Sequence, residues 1–500
     1  MPNVIEAMWA GLVGVLSWPA FGYLLISILV GFWVGILPGL GGRATLAIMI
    51  PFTFGLQPIE AFCFLLAAHA VNSTTGDITS VLFGVPGEAV SAAVILDGHP
   101  MAKKGEAGRA LGAVLFSSLI GAILGAIVLA VSVPFVRPFI LNFTAAELFA
   151  LIVLGLTFVG SLSGRFWRRG LLMAGFGLVL SMIGMDPHTS IPRYTFGLPY
   201  LWDGAPLIPV AIGLFAIPEI IDLAVSGSRV SEERVRISGG VLEGIFDTFR
   251  HWGLVLRCSM IGTFIGFIPG LGGGTAQWLA YAHSIHSGKT PAEREGFGKG
   301  DVRGVLGPGA ANNSKEGGEL IPTIAFGVPG SGSMAILLGA FMIIGVIPGP
   351  KMLSEHLHVT FAMVWIIVIS NIITVIACLL FLKQLASLAY IRSSILIPVI
   401  LFLIFIGAFG ATNNFADIVV MVISGVAGYA MVLLRWPRPP LVLGLVLGNL
   451  AENYLYISLG AFGAWFLLRP LVIVILSVAV GVVVYSVMQR RNAFAIDEAD

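Results

Sequence analysis

The chain has 500 residues, of which 57% are hydrophobic and only 11% charged, and its mean hydropathy is +0.98. A soluble domain carries about 25% charged residues, so a water-surrounded globule is excluded and a lipid environment is expected. The 27 Lys and Arg nearly balance the 26 Asp and Glu, which removes the basic footprint of a nucleic-acid binder.

The N-terminal stretch MPNVIEAMWAGLVGV lacks a basic region and an A-x-A site. Residues 1–19 therefore read as an interfacial or short membrane segment, not a cleaved leader. Apolar spans follow at roughly 20–38, 106–133, 138–160, 169–185 and 204–225. A second series lies at roughly 251–269, 357–382, 394–411, 416–434, 441–467 and 470–488. The fold class this predicts is an all-α polytopic membrane protein of about 10–12 spans. Two intervening regions, 38–100 and 269–350, are apolar but broken by Gly and Pro, and read as half-helices and re-entrant hairpins. Residues 20–226 form a first membrane repeat, 251–468 a second, and 469–500 a last span with a cytoplasmic tail. The linker 227–250 is soluble; Val241, Leu242, Ile245, Phe246 and Phe249 share one helical face there, which predicts an interfacial helix. Cys63, Cys258 and Cys378 stand singly in apolar stretches and read as small buried hydrophobes.

The repeat assignment rests on two matches in the same order. Gly35-Ile36-Leu37-Pro38-Gly39-Leu40-Gly41-Gly42 corresponds to Gly266-Phe267-Ile268-Pro269-Gly270-Leu271-Gly272-Gly273. Asn72-Ser73 precedes Phe83-Gly84-Val85-Pro86-Gly87, as Asn313-Ser314 precedes Phe326-Gly327-Val328-Pro329-Gly330. Basic clusters fall on opposite phases in the two halves. The loop near Gln57-Pro58 has no Lys or Arg, whereas its counterpart carries Lys289, Arg294, Lys299 and Arg303. Lys and Arg accumulate in cytoplasmic loops, so the expected arrangement is an inverted repeat with a cytoplasmic C-terminus.

Paired broken helices point to a transporter site. Pro38, Gly39, Gly41 and Gly42, with Pro269, Gly270, Gly272 and Gly273, interrupt a helix and release carbonyls that can coordinate a cation. Glycine-mediated helix packing is the competing reading. Asn72, Ser73 and Thr74, with Asn312, Asn313 and Ser314, carry amides and hydroxyls suited to sodium or to a carboxylate. Capping of a broken helix is the alternative. Pro86, Gly87, Pro329 and Gly330 read as hairpin tips or hinges, and Ser331 beside them as a substrate contact or a plain turn residue. Asp77, Glu88, Lys315, Glu316 and Glu319 are ionisable groups at membrane level, a functional signal in itself. His69, His283 and His286 have no ligand spacing and read as structural. No P-loop, GxSxG elbow or clustered acid pair occurs, so an ATPase or a membrane-embedded enzyme is not expected.

The two Pro-Gly-Leu-Gly-Gly copies, the run Asn72 to Ser80, Val85-Pro86-Gly87-Glu88, Leu96-Asp97-Gly98-His99-Pro100-Met101-Ala102 and Ala311 to Gly318 resemble one family. It is the large, TctA-type membrane subunit of tripartite tricarboxylate transporters, and the resemblance runs from about residue 20 to about 480. It implies a permease in the bacterial inner membrane that works with a small membrane subunit and a periplasmic solute-binding protein. It further implies uptake of citrate or related carboxylates driven by sodium or protons, no resident cofactor, and site residues Asn72, Ser73, Thr74, Asn312, Asn313 and Ser314. Lys315-Glu316 stands where small residues are common in that family, which widens the expected substrate to other carboxylates. A stand-alone ion-coupled carboxylate transporter and an anion channel are the alternatives.

Overall fold

A computed structural model of the chain describes residues 3–36, 41–161, 166–186, 189–226, 239–269, 271–382, 384, 393–410 and 412–497. Pro38, Gly39 and Gly270 of the glycine motifs lie outside these residues. The architecture is all-α and membrane-embedded. The first half contains α1 (Val4–Leu16), α2 (Ala20–Gly35), α3 (Gly42–Met49), α4 (Pro58–Phe83), α5 (Ala92–Met101), α6 (Ala107–Ile140), α7 (Ala145–Ser161), α8 (Trp167–Ser181) and α9 (Leu207–Ser226). The second contains α10 (Val241–Arg250), α11 (Trp252–Phe267), α12 (Gly272–His286), α13 (Pro291–Glu295), α14 (Arg303–Phe326), α15 (Gly332–Ile343) and α16 (Leu357–Leu380). It continues with α17 (Ser393–Gly410), α18 (Phe415–Leu433), α19 (Pro439–Phe462) and α20 (Pro470–Asp497). Among the described residues one antiparallel pair, Gly184–Met185 with Pro192–Arg193, closes a loop. Arg193 fastens that loop to α19 by a bidentate pair with Glu452 at 2.7 and 2.9 Å.

Among the described residues, five helical stretches are long and apolar enough to cross a membrane. The pair α1 and α2, bent by 65°, makes a sixth, and five further apolar helices have 10–17 residues. The expected 10–12 full spans therefore resolve into about half that number of full-length ones plus short elements. The expected break between residues 133 and 138 is absent: α6 runs on through Pro134 and Pro138 to Ile140. The N-terminal segment, α1, lies on α16, where Gly11 meets the Phe361–Ala362 backbone and Trp365 Nε1 donates to Met8 O at 3.0 Å.

α4 and α14 have 26 and 24 residues but are polar in composition, and their burial explains how they tolerate it. Every residue from Ala61 to Phe83 and from Gly304 to Ala325 is buried. α2 packs along α4, while α6 and α11 pack along α14. The sheathing helices expose large apolar side chains, mostly Leu, Ile, Val and Phe, as a surface facing lipid requires.

Both halves repeat one element order. A helix ends at a glycine-rich break (α2, α11), a shorter helix follows (α3, α12), then a long buried helix (α4, α14), then a short one (α5, α15). Both long helices end on a left-handed glycine, Gly84 at φ 65° and Gly327 at φ 66°. Only glycine takes that conformation without steric cost. At Gly327 the Val328 N–H closes on Pro322 O at 3.1 Å, satisfying an end carbonyl.

Candidate functional site

The expected half-helices of 38–100 and 269–350 correspond to the short helices α3, α5, α12 and α15, whereas α4 and α14, which carry the Asn motifs, are long and continuous. α4 starts on Pro58 with a Gln57–Glu60 capping box, and nothing interrupts it before Gly84. Its hydroxyls bond one turn back: Ser73 to His69 O at 3.3 Å, Thr74 to Ala70 O at 3.2 Å and Thr75 to Val71 O at 2.9 Å. That back-bonding lets a polar run stay helical without a partner outside the helix. No helix N-terminus is formed at Asn72 or Asn312, so an anion site of that kind does not exist there.

α4 and α14 meet at their polar runs. Asn312 Nδ2 donates to Ser73 O at 2.9 Å and to Asp77 Oδ2 at 3.2 Å. Asn313 Nδ2 donates to Thr74 Oγ1 at 2.7 Å and to Asn371 Oδ1 of α16 at 2.6 Å. Asn72 reaches the other way: its Oδ1 accepts from Thr45 of α3 at 3.4 Å, and its Nδ2 approaches Glu88 at 3.5 Å. Ser314 faces α11, where its carbonyl accepts from Thr263 Oγ1 at 3.2 Å. It therefore belongs to a helix contact, apart from the other five motif residues. Ser331 caps α15 and donates to Glu319 Oε2 at 2.7 Å, which ties the second hairpin turn to α14.

The glycines set the register of the two halves. A Cβ at Gly42 would sit 2.9 Å from His69 Nδ1 and 3.3 Å from Asn72 Nδ2, while one at Gly273 would overlap the side chain of Lys315. Asn72 thus corresponds in space to Lys315, not to Asn313 as the Asn-Ser match suggested, and the extra residues fall in the loop holding α13. Gly87 and Gly330 obey the same register: a Cβ would sit 2.6 Å from Gly76 Cα and 2.7 Å from Glu319 Cα respectively. With Pro86 and Pro329 beside them, these turns pack closely against α4 and α14. Gly41, the N-cap of α3, lies over Glu88, and Pro269 with Gly272, at φ 67°, forms the break before α12.

Around this crossing lies a set of groups that motif reading did not assemble. Lys315 has Glu319, Glu316, Glu88 and Asp77 as its electrostatic neighbours. Among the described residues it makes no ion pair within 4.0 Å. His69, Asp77, Gln277, Asn312, Asn313, Lys315, Glu316 and Glu319 are at most 2% exposed. Asp77 Oδ1, both Glu316 oxygens, Glu319 Oε1, Asn312 Oδ1, Asn313 Oδ1, both His69 nitrogens and both polar atoms of Gln277 lack a hydrogen-bond partner. Native interiors rarely leave buried polar atoms unpaired, and a cluster of them marks a place where something else is bound or exchanged. The five charged residues carried a sequence signal, being ionisable at membrane level. Gln277 and Asn371 did not, since each is one amide in an apolar stretch. His69, read as structural, sits beside Gly42 at the same centre.

Asn313, Thr74 and Asn371 form a three-helix clamp. Replacing Asn313 or Asn371 by alanine is expected to lower the melting temperature in either case. The double variant should fall short of the sum, with a coupling on the order of 1 kcal/mol. Additive shifts in a thermal melt of purified protein would show that the clamp carries no coupling.

A model of the tripartite tricarboxylate transporter TctA family matches residues 21–443. Two proteins of Agrobacterium vitis are similar to the chain. One, described as an uncharacterized 52.8 kDa protein in the TAR-I ttuC' 3' region, is 30% identical over 485 residues, 95% of each chain. The other, described as an uncharacterized protein in the TAR-II ttuC' 3' region, is 32% identical over 194 residues, covering 39% of this chain and 79% of that one. With the family match covering residues 21–443, and so both helices of the α4–α14 crossing, the chain belongs to the tripartite tricarboxylate transporter TctA family and is a multi-pass membrane transport protein.

Proposed function

We propose that this chain is the permease subunit of a binding-protein-dependent secondary transporter. It imports tricarboxylates or related small carboxylates, driven by a sodium or proton gradient. The observation that carries this reading is the enclosed crossing of α4 and α14, where one ammonium lies among four carboxyl groups with unpaired amide and carboxyl oxygens. Removing charges from water costs several kcal/mol per ion. A closed space with more acid than base is therefore balanced by entering cations, the role of a coupling ion. Asp77, Glu316, Asn312 and Gln277 supply its oxygen donors. On the opposite side, Lys315 and the starts of α3, α12 and α15 favour a carboxylate. Arg43, in the first turn of α3, lies against Gly332 at the start of α15 and adds a second cation. Burial of Asp77, Asn312, Asn313, Lys315, Glu316 and Glu319 fits an occluded stage of alternating access better than the open pore of a channel.

The two halves form an inverted repeat in this reading, on the strength of their opposite charge phases, with the C-terminus in the cytoplasm of a bacterial inner membrane. A small membrane subunit and a periplasmic solute-binding protein complete the system. The test is uptake by proteoliposomes holding the permease with its small subunit. Labelled citrate and dicarboxylates are expected to accumulate only with the binding protein outside and an inward sodium or proton gradient. Flux that is non-saturable and indifferent to both gradients would establish a channel and overturn the proposal.

A further inference from the structure

A second polar feature lies well away from the α4–α14 crossing, at one end of α11. There α10 ends, α11 begins, α12 ends, and the loop carrying α13 leads into α14. Between them is an open pocket of about 630 Å³ lined by Arg250, His251, Trp252, Arg257, Lys289 and Arg303, with Glu293 as its one carboxylate. Arg303 is already committed: it donates to Glu293 at 2.9 Å and to Asp301 at 2.8 Å. The hydrogen bond from Arg303 holds the Glu293 carboxyl below its usual range, so that pair stays ionised and neutralises itself. The other cations are less firmly paired. Arg257 Nε donates to the His283 ring at 3.1 Å, and among the described residues neither Arg257 nor the Lys289 ammonium makes an ion pair within 4.0 Å, although the Lys289 backbone N–H donates to the already paired Glu293 at 3.1 Å. Arg250 touches Asp247 at 3.4 Å, but Asp247 is held more closely by Arg109 at 2.7 Å.

The pocket opens onto apolar surface. α10 is strongly amphipathic. Gly244 packs on the Arg109 backbone of α6, and Leu242, Phe246 and Phe249 are exposed. From Trp252, a wall of the pocket, an exposed stripe continues along α11 through Leu256, Met260 and Phe264 at four-residue spacing. Cations without acids at the head of an apolar track are the complement of one molecule type: a phosphate ester carrying acyl chains. A basic pocket between membrane helices next to an interfacial helix is the recurring form of such a site.

We infer that this pocket binds an acidic phospholipid, its phosphate held by Arg257, Lys289 and Arg250 and its acyl chains laid along the Trp252–Phe264 stripe. This does not depend on what the α4–α14 centre transports. The test is native mass spectrometry of the full chain in detergent, titrated with dioleoylphosphatidylglycerol or dioleoylphosphatidylcholine. Preferential retention of phosphatidylglycerol is expected, and Arg257→Gln with Lys289→Gln should weaken it roughly thirtyfold. Lys289→Gln alone, at an exposed loop position, leaves the fold untouched and should weaken it about fivefold. Lys103→Gln, an exposed cation elsewhere, should leave it unchanged. Equal retention of phosphatidylcholine, or full preference in the Lys289→Gln protein, overturns the inference. So does displacement of phosphatidylglycerol by millimolar inorganic phosphate, which would mark a free-anion site.

Discussion

Lys315→Gln is expected to abolish accumulation of substrate while leaving a folded, monodisperse protein. The stem of Lys315 crosses Gly273 and touches the level of Val90, so glutamine keeps most of the packing and removes the charge. Among the described residues Lys315 makes no direct ion pair but is the one ammonium among four carboxyl groups, so its loss falls in the lower part of the about 2–5 kcal/mol that a buried paired charge costs. An apparent substrate affinity lower by on the order of a hundredfold follows. Lys315→Arg is expected to fail as well. A planar fork is bulkier than an ammonium, and Gly273 leaves room only for the narrow stem. Both variants are read by gradient-driven uptake and by a thermal melt. Unchanged affinity in the glutamine protein, with its fold intact, would remove Lys315 from the substrate site and leave it as a counter-charge for the four carboxyls.

How far this centre could be read from the sequence depends on the range of each interaction. Left-handed Gly84 and Gly327, and the breaks at Gly41–Gly42 and Gly272–Gly273, follow from local backbone chemistry and were legible as punctuation. The amphipathic helix α10 was legible for the same reason: five apolar residues fall on one face within about two and a half turns. Errors came where tertiary context overrides local preference. The spans expected at 106–133 and 138–160 left a break between them, yet α6 carries Pro134 and Pro138 within one continuous helix. Asn72-Ser73-Thr74 read as a polar site or as the cap of a broken helix, and back-bonding to the preceding turn instead keeps the run helical inside a sheath of other helices. The Asn-Ser match misplaced the register, since similarity of letters weighed Asn313 above Lys315. Only the approach of Gly42 and Gly273 to specific side chains corrects it. Gln277 and Asn371 act across 200 and 297 residues, toward Asp77 and Thr74, a separation at which a single sequence carries no signal.

The second large effect is structural: Gly317→Val is expected to yield no monodisperse protein, and Gly317→Ala to lose about 1–3 kcal/mol. α6 and α14 approach with their backbones in contact. A Cβ at Gly317 would overlap the Gly125 carbonyl, one at Gly125 the Ser314 carbonyl, and one at Gly121 the Ala310 carbonyl. In lipid there is no hydrophobic drive to press helices together, so close packing of small residues supplies the attraction. A side chain whose obstacle is backbone cannot rotate clear and must push the helices apart. α14 would then move relative to α16, and the Asn313–Asn371 bond, 2.6 Å long, would be the first to open. The control lies in α12. Gly274 faces open space, whereas its neighbour Gly273 is covered by Lys315. Gly274→Ala should therefore be neutral or stabilising by about 0.5–1 kcal/mol through helix propensity alone. Gly273→Ala should melt near wild type yet transport poorly, because the obstacle there is a flexible stem that can shift. Thermal melts and uptake on the same four proteins separate the roles. Gly317 governs assembly, Gly273 governs the position of one ammonium, and an equal response at Gly273 and Gly274 would mean that Lys315 does not lie where the glycine leaves room for it.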